Sequence, residues 1–541
     1  MRNNKGITLI ALVITIIVIV ILAGVTLSVT IGENGVLTQA QTAKEVTEEA
    51  AKDEEKEFES VDMQMAEVQN KESWDSIINS DKNQNSEGTE GEEDEEDVLT
   101  LEEFQASFAG GTGTESDPYQ ITTPLHLAYL AKYTNEKVTF VTGSYFKMMN
   151  DIDLEYREWT AIGIGDSANP ERTKAYCDKL SQTAFKGYFD GNGHKITRIY
   201  INQPNNCSVG VFGTLDGNAV IQNLTIESGR VIGKYHVGGI AGLSINGTVK
   251  NCINKAEIIA QDNATEASGE NAGGIVGTMT TGTSLVENCI NYGNATAKND
   301  TKRTNSVGKG AGGIVGYVEH YSGAKGNYTI KNSINYGTII GNYQQIGGIT
   351  GYIDSGRIEG CINNGTVVCI SHDNTKTTAG TYVGGISGVL SDGAIIDNCK
   401  NTGEIIADLG WVGGISGRIL SGTKISNCEN SGKIKQLNKF KFEDLVYSVG
   451  GICGRNEGTM QYCYNRGDFK NSNNIGGLIG QLESGTLTKN YYYVASITKG
   501  IGFSAEDPDG NDVVGQAEKI ELSESQKISN FAAFKTWIET K

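Results

Sequence analysis

Cysteine is the residue type whose spacing in this sequence most directly suggests chemistry. The 541 residues include ten cysteines, and regularly spaced thiols often serve disulfide bonds or metal coordination. Serine replaces cysteine in one copy of the pattern that contains them, at Ser333, and no Cys-x-x-Cys pair occurs. Both observations argue against those two roles. We therefore predict a structural column of small buried side chains at Cys252, Cys289, Cys361, Cys399, Cys428 and Cys463.

Other chemistry-bearing residues form no complete enzyme signature. The five histidines include no His-Glu-x-x-His pair, and neither a Gly-x-Ser-x-Gly elbow nor a Walker loop occurs in the sequence. Residues 507–518 partly match a calcium-binding loop, but Asp512 stands where the turn needs glycine. We expect an acidic surface turn there and keep calcium binding as the alternative, with candidate ligands Asp507, Asp509, Asn511 and Glu518.

Two repeated motifs must position the cysteines. The first is an apolar residue followed by Gly-Gly-Ile/Leu-x-Gly; its mean spacing is 34 residues, and its first glycine falls at 238, 273, 312, 347, 384, 413, 450 and 476. The second is Asn-Cys-x-Asn-x-Gly, with copies beginning at Asn251, Asn288, Asn332, Gly360, Asn398, Asn427, Tyr462 and Asn490. Repeats of this length with variable loops are typical of solenoids.

The residues around each cysteine predict the cross-section of a coil. Counting the cysteine as zero, we expect positions −3, 0, +2 and +6 to point inward, and positions −2 and +1 to face water. Strict alternation along a strand cannot bury both −3 and 0, so a corner or bulge must lie at the residue before the cysteine. The asparagines at +2 should stack as an amide ladder: Asn254, Asn291, Asn335, Asn363, Asn401, Asn430 and Asn465.

These repeats resemble the GLUG motif of bacterial surface proteins, with the best matches at 237–242, 272–277 and 475–480. The resemblance covers roughly residues 205–495 and implies an all-β fold, a right-handed parallel β-helix or β-solenoid. The family motif names no catalytic residues. Upstream, residues 110–121 resemble the opening coil of such proteins, and residues 124–133 predict a short helix over the open end. Residues 522–538 have helical spacing and suit a C-terminal cap.

A polysaccharide-active enzyme is one alternative function. Some parallel β-helices cleave acidic polysaccharides with a cluster of carboxylates and a base, and Asp151, Asp153 and Asp190 are the candidates here. In this context we expect these residues to hold turns. The sequence therefore predicts a protein that is not an enzyme and uses no cofactor.

The N-terminus predicts a transmembrane α-helix. Arg2 and Lys5 precede the uncharged, Ile- and Val-rich residues 7–31, which are long enough to cross a bilayer and place the C-terminal body outside. The residues around Gly6 resemble the type III signal of type IV prepilins. That resemblance implies a prepilin peptidase as partner, cleavage after Gly6 and Ile7 as the first mature residue. Ala11 stands where prepilins usually carry Glu, and an uncleaved signal anchor is the alternative.

Acidic charge is concentrated in one segment. Between Glu33 and Val98, 22 Asp or Glu stand against five Lys or Arg, which gives −17 of the net charge of −20. The acidic pI of about 4.8 argues against a nucleic-acid partner. We predict six regions: an anchor at 1–32, a polar helical stalk at 33–70, an acidic disordered linker at 71–98, N-terminal coils and cap at 99–204, the repeat solenoid at 205–495 and a C-terminal cap at 496–541.

Together these features predict a single-pass protein of the bacterial cell membrane with an extracellular β-solenoid. We expect it to serve adhesion or surface interaction, with a glycan or a host or bacterial surface protein as partner. A type IV pilus-like or pseudopilin-associated subunit, a polysaccharide-active β-helix enzyme and a passive spacer are the alternatives.

Overall fold

The computed structural model describes residues 71–85, 99–164, 174–261, 271–298, 310–320, 326–341, 345–370, 381–408, 410–437, 448–470, 475–494, 496–504, 517–525, 528 and 531–540. The chain divides into two units, Met1–Lys71 and Glu72–Lys541, and every described residue except Lys71 belongs to the second. The predicted anchor at 1–32 and stalk at 33–70 lie outside the described residues. Within the described part, no helix is both long and apolar enough to span a membrane.

Short parallel strands stack into five long sheets, and successive coils add one strand to each sheet in turn. The first sheet has twelve strands: Tyr119–Ile121, Tyr145–Met148, Tyr188–Asp190, Ala219–Gln222, Gly247–Lys250, Thr283–Glu287, Asn327–Lys331, Arg357–Glu359, Ile395–Asp397, Lys424–Ser426, Thr459–Gln461 and Thr486–Thr488. The second also has twelve: Ile152–Asp153, Lys195–Thr197, Thr225–Ile226, Ile253–Asn254, Ile290–Asn291, Ile334–Asn335, Ile362–Asn363, Lys400–Asn401, Glu429–Asn430, Tyr464–Asn465, Asn490–Tyr492 and Ala517–Lys519.

The remaining three sheets complete each coil. The third has nine strands: Ile199–Gln203, Gly229–Gly233, Glu257–Gln261, Ala295–Lys298, Ile339–Gly341, Val367–Cys369, Ile405–Ala407, Ile434–Gln436 and Phe469–Lys470. The fourth has eight: His236–Gly238, Asn271–Gly273, Gly310–Gly312, Gln345–Gly347, Tyr382–Gly384, Trp411–Gly413, Val449–Gly450 and Ile475–Gly476. The fifth has ten: Phe212–Leu215, Ala241–Ser244, Val276–Thr280, Val315–Glu319, Thr350–Asp354, Ser387–Ser391, Ser416–Ile419, Cys453–Asn456, Ile479–Leu482 and Ile501–Ser504. The predicted parallel solenoid is confirmed, and its right-handed winding stays a prediction.

A corner separates the first sheet from the second in each repeat, where the sequence pattern required one. The residue before the cysteine position has a left-handed backbone, with φ of 51–55° at five asparagines of the repeats and 63° at Gly360. Asparagine and glycine tolerate this conformation better than other residues. The last copy of the motif is shifted by one residue from the sequence alignment, because Lys489 has the left-handed φ and Asn490 takes the cysteine position.

The asparagines at +2 form a continuous buried ladder. Each side-chain amide donates to the Asn of the next coil, with N···O distances of 2.8–3.0 Å from Asn254 to Asn465. Each amide also donates to the backbone carbonyl two residues ahead, as Asn363 does to Gly365 at 2.9 Å. These amides are fully buried, yet their hydrogen-bonding groups have partners, as a buried polar group requires.

The Gly-Gly motif packs directly against this ladder across the thin core. A Cβ atom on the second glycine of each motif would lie only 2.2–2.6 Å from the Cγ of the ladder asparagine, at glycines 239, 274, 313, 348, 385, 414 and 451. No Cβ fits at such a distance. Each motif therefore requires the other, because the missing side chain of the glycine leaves the space that the asparagine amide fills.

Helix α1, Trp74–Asn85, corrects the prediction of a disordered linker at 71–98. Trp74 and Ile78 are buried in the main core, and Arg157 lies over the Trp74 ring. Trp74, Ile77 and Ile78 lie on one face of the helix and give this polar segment an apolar edge. Packing of that edge on the core orders the segment despite its acidic composition. The linker prediction is wrong for this helix, and its most acidic part, 86–98, lies outside the described residues.

Five further helices among the described residues flank the coils. Helix α2 is Leu101–Ala106, α3 is Pro124–Asn135, α4 is Lys174–Ser181, α5 is Leu522–Ser525 and α6 is Phe531–Glu539, and a 3₁₀ turn spans Thr139–Val141. The helix predicted at 124–133 is confirmed as α3. It begins after the Thr123 cap, with a proline in its first turn, and packs against the first coil.

Helix α6 lies along the outer side of the second sheet rather than over the end of the solenoid. Its Phe534 ring stacks on Tyr464 at 4.9 Å and meets Tyr491 edge to face. This placement corrects the expectation that every +1 residue faces water, because Tyr464 is fully buried. Glu429 at the same position in the preceding coil is also buried, and ion pairs to Lys400 and Arg466 compensate its charge.

We expect Asn363→Ala to lower the free energy of unfolding by about 2–4 kcal/mol, because two buried groups lose their partners: the Asn401 side-chain Oδ1 loses its donor and the Asn335 side-chain amide loses its acceptor. Asn327→Ala is the matched control, since Asn327 is exposed on the first sheet. Guanidinium unfolding followed by circular dichroism measures both. Equal losses in the two variants would show that the ladder contributes no more than a surface amide.

Candidate functional site

The predicted cysteine residues all lie in one buried column. Their thiols donate to backbone carbonyls of their own coil at 3.1–3.5 Å, and Cys252, Cys289, Cys361 and Cys399 also approach a carbonyl of the preceding coil at 3.6–3.8 Å. Ser333 fills the column with the same geometry, its hydroxyl donating to the Lys331 carbonyl at 3.0 Å. The nine cysteines whose side chains the structure describes are all free thiols.

Burial makes these thiols poor nucleophiles. Removal from water raises the pKa of Cys361, Cys399 and Cys428 well above the usual value, because the thiolate would lose its hydration. The reactive form of cysteine is the thiolate. The arrangement therefore suits packing rather than redox chemistry or metal binding.

The three candidate catalytic carboxylates each hold a local structure. Asp151 accepts hydrogen bonds from His194 and from the Lys195 backbone, which lower its pKa. The Arg198 guanidinium binds Asp153 with two nitrogens and lowers the pKa of that carboxyl. Asp190 accepts from Gln222, from Asn223 and from the Asn192 backbone. These partners hold the three carboxylates oriented toward the protein.

Other sequence candidates fall mostly outside the described residues. Gly6 and Ile7 of the predicted processing site do, and so do Asp507, Asp509 and Asn511 of the calcium candidate. Glu518 is described. It lies in the last strand of the second sheet, opposite Tyr491.

A groove on the outer face of the first sheet is a candidate for ligand binding. Its volume is about 480 Å³, and residues 115–118 form one wall. The floor carries Tyr145 and Tyr188 on adjacent strands, with ring centroids 4.3 Å apart and ring planes within 9° of parallel. Both rings are half-buried. Such a flat pair presents an apolar face with hydroxyl groups at its edge.

Charged and amide groups lie beside the rings in one row. Strand pairing aligns Lys147, Asp190, Gln222 and Lys250 on four successive coils. Neither lysine has an ion-pair partner among the described residues, whereas Asp190 is held by neighbouring amides. Burial, the Glu115 carboxylate and the stacked Tyr188 ring raise the pKa of Tyr145. The Tyr145 hydroxyl therefore stays protonated and can donate a hydrogen bond.

The repeat pattern does not predict this groove, although the sequence contains a signal for it. The tripeptides at 145–147 and 188–190 both read Tyr-Phe followed by a charged residue. In each, the phenylalanine is buried and its neighbours point outward. Recognising them as adjacent strands would have paired the two tyrosines. The offset of 43 residues between the two similar tripeptides and the irregular intervening segment hid that pairing.

Comparison with known proteins gives short partial matches. No protein-family model matches the chain. A protein of Evansella cellulosilytica provisionally named a Gly-rich membrane protein is 34% identical over 123 residues, which is 22% of this chain and 12% of that protein. Halomucin of Haloquadratum walsbyi is 29% identical over 177 residues, covering 33% of this chain and 2% of that protein. The chain therefore spans only a small part of either relative.

One solved structure also overlaps. It is a crystal structure from Bacteroides ovatus provisionally named an immunoglobulin A1 protease, with 24% sequence identity and a TM-score of 0.37. The overlap covers 53% of this chain and 89% of that one.

We expect the native full-length chain to expose at most one thiol to Ellman's reagent and to release ten after unfolding in guanidinium. Nine described cysteines are at most 1% exposed, and Cys177 is the tenth. The raised thiol pKa values mean that a moderate increase in pH produces little thiolate in the folded column. Cys177→Ser is the control that accounts for the tenth thiol. Rapid reaction of several thiols in the native Cys177→Ser chain would contradict the buried column.

Proposed function

We propose that this chain is a bacterial cell-surface β-solenoid, anchored through its N-terminal segment, that binds an acidic glycan along the groove of the first sheet. The anchor rests on the uncharged residues 7–31 and their prepilin-like start. The name of one relative, a Gly-rich membrane protein, supports the same location. The groove supplies the binding site.

The stacked pair of Tyr145 and Tyr188 carries the proposal. Aromatic faces bind the apolar faces of sugar rings, and side chains at the ring edges hydrogen-bond the hydroxyl groups. Successive coils repeat at about 4.8 Å, which is close to the length of one sugar unit in a chain. A polysaccharide lying along the solenoid would therefore meet equivalent positions on consecutive coils.

Two lysines favour an acidic glycan over a neutral one. Lys147 and Lys250 flank Asp190 and Gln222 in the polar row, which continues past Lys250 to Glu287, and neither lysine forms an ion pair with a described carboxylate. Carboxylate groups of a uronic acid chain would pair with them, while Gln222 offers a neutral hydrogen-bonding group between. Catalysis is a weaker interpretation of the same groove, because Asp190 has its oxygens occupied by amides.

We expect the full-length chain to bind polygalacturonate and to bind amylose, a neutral polymer with related linkages, much more weakly. Tyr145→Ala and Tyr188→Ala should each weaken polygalacturonate binding at least tenfold in biolayer interferometry, and added NaCl should weaken it further. Tyr292→Ala is the matched control, because Tyr292 and Tyr336, which directly follow two adjacent strands of the second sheet, form an exposed stacked pair at 5.0 Å.

Equal effects of Tyr145→Ala and Tyr292→Ala would place any binding outside the groove. Equal binding of the two polymers would reject the role of the lysines. No binding of polygalacturonate by the unmodified chain would reject the acidic glycan.

A further inference from the structure

Three side chains that can ligate a metal converge where the fifth sheet turns toward the first. His320 follows the strand Val315–Glu319, Asp354 ends the strand Thr350–Asp354, and Asp392 follows the strand Ser387–Ser391. These strands are neighbours in the fifth sheet. One ligating atom from each residue lies within 4.8 Å of the other two. Residues far apart in sequence are thus brought to one point by three successive coils.

The contact between His320 and Asp354 is not an ordinary hydrogen bond. His320 Nδ1 lies 3.0 Å from Asp354 Oδ2, yet this buried nitrogen hydrogen-bonds to no described group. Two donor atoms bound to one metal ion at about 2.0–2.1 Å are themselves separated by about 3 Å, and neither points at the other. The observed pair has that relationship.

A second histidine in the same solenoid shows the contrast. His194 Nδ1 also lies 3.0 Å from a carboxylate oxygen, that of Asp151, but there the two groups are aligned as a hydrogen bond. Among the described residues, no third ligating side chain joins that pair at such close range. The geometry at His320 is therefore specific to that site and is not general to His-Asp pairs here.

We propose that His320, Asp354 and Asp392 bind a divalent transition-metal ion, with zinc as the best fit. One imidazole and two carboxylates are typical ligands of such an ion, whereas calcium prefers oxygen ligands alone. The side chains of His320 and Asp354 are 19% and 17% exposed, while Asp392 is exposed and leaves an approach from solvent. A bound ion would cross-link three successive coils at their turns. This site is separate from the glycan groove on the first sheet.

Zinc titration of the chelator-treated full-length chain tests the proposal. In isothermal titration calorimetry we expect one equivalent of Zn²⁺ to bind, calcium to bind at least tenfold more weakly, and the thermal unfolding midpoint to rise with zinc. His320→Gln and Asp354→Asn should each weaken zinc binding at least tenfold. His194→Gln is the matched control and should leave it unchanged.

The absorption spectrum of bound Co²⁺ distinguishes binding at this site from binding by the cysteines. Thiolate ligands give Co²⁺ an intense near-ultraviolet absorption, whereas imidazole and carboxylate ligands do not. We expect that absorption to be absent. If His320→Gln fails to fold by circular dichroism, Asp392→Asn replaces it, since Asp392 is exposed on a turn. No saturable zinc binding, a thiolate spectrum, or undiminished binding in Asp392→Asn and Asp354→Asn would overturn the proposal.

Discussion

The fold depends on one close contact, the packing of the Gly-Gly motif against the asparagine ladder. The second glycine of each motif approaches the ladder so closely that a Cβ would collide with the amide. In return, each asparagine uses that space to bond the next coil and the backbone ahead of it, as Asn363 does. Hydrophobic packing alone does not fix the register of a coil, because apolar contacts have no direction. The amide ladder supplies the direction, since each rung donates to the asparagine of the next coil and accepts from that of the preceding coil, as Asn363 does.

Fixed register in the core also aligns the residues on the outside. Because equivalent positions stack on successive coils, a residue type repeated at one position becomes a row along the surface. Tyr145 and Tyr188 stack for this reason, and the row from Lys147 to Lys250 arises in the same way. The cluster of His320, Asp354 and Asp392 is a similar product of stacking, formed at the turns instead of on a flat face. The scaffold therefore converts a linear repeat into surface sites that no single coil contains.

Sequence predicted what the repeat determines. The buried cysteine column, the amide ladder and the corner before the cysteine all follow from the residue types at fixed offsets from one motif. What departs from the repeat was harder to predict. Helix α1 rests on only Trp74, Ile77 and Ile78 within a strongly polar segment, and Tyr464 is buried only because Phe534 covers it. The tyrosine pair of the groove lies on coils that precede the clear repeats, and the metal-ligand cluster depends on turns whose lengths vary. Both required the spatial alignment of coils that the sequence pattern does not give.

The most direct test of the account is the unfolding of Gly348→Ala compared with Gly422→Ala. Gly348 packs against Asn363 with an ordinary backbone conformation, whereas Gly422 is in open space with φ +81°. The first substitution tests space alone and the second tests backbone strain alone. We expect Gly348→Ala to lose about 3 kcal/mol or more from overpacking, and Gly422→Ala about 1 kcal/mol from strain. A stable Gly348→Ala chain with an unchanged unfolding midpoint would contradict the claim that the glycine motif and the asparagine ladder hold the coils in register.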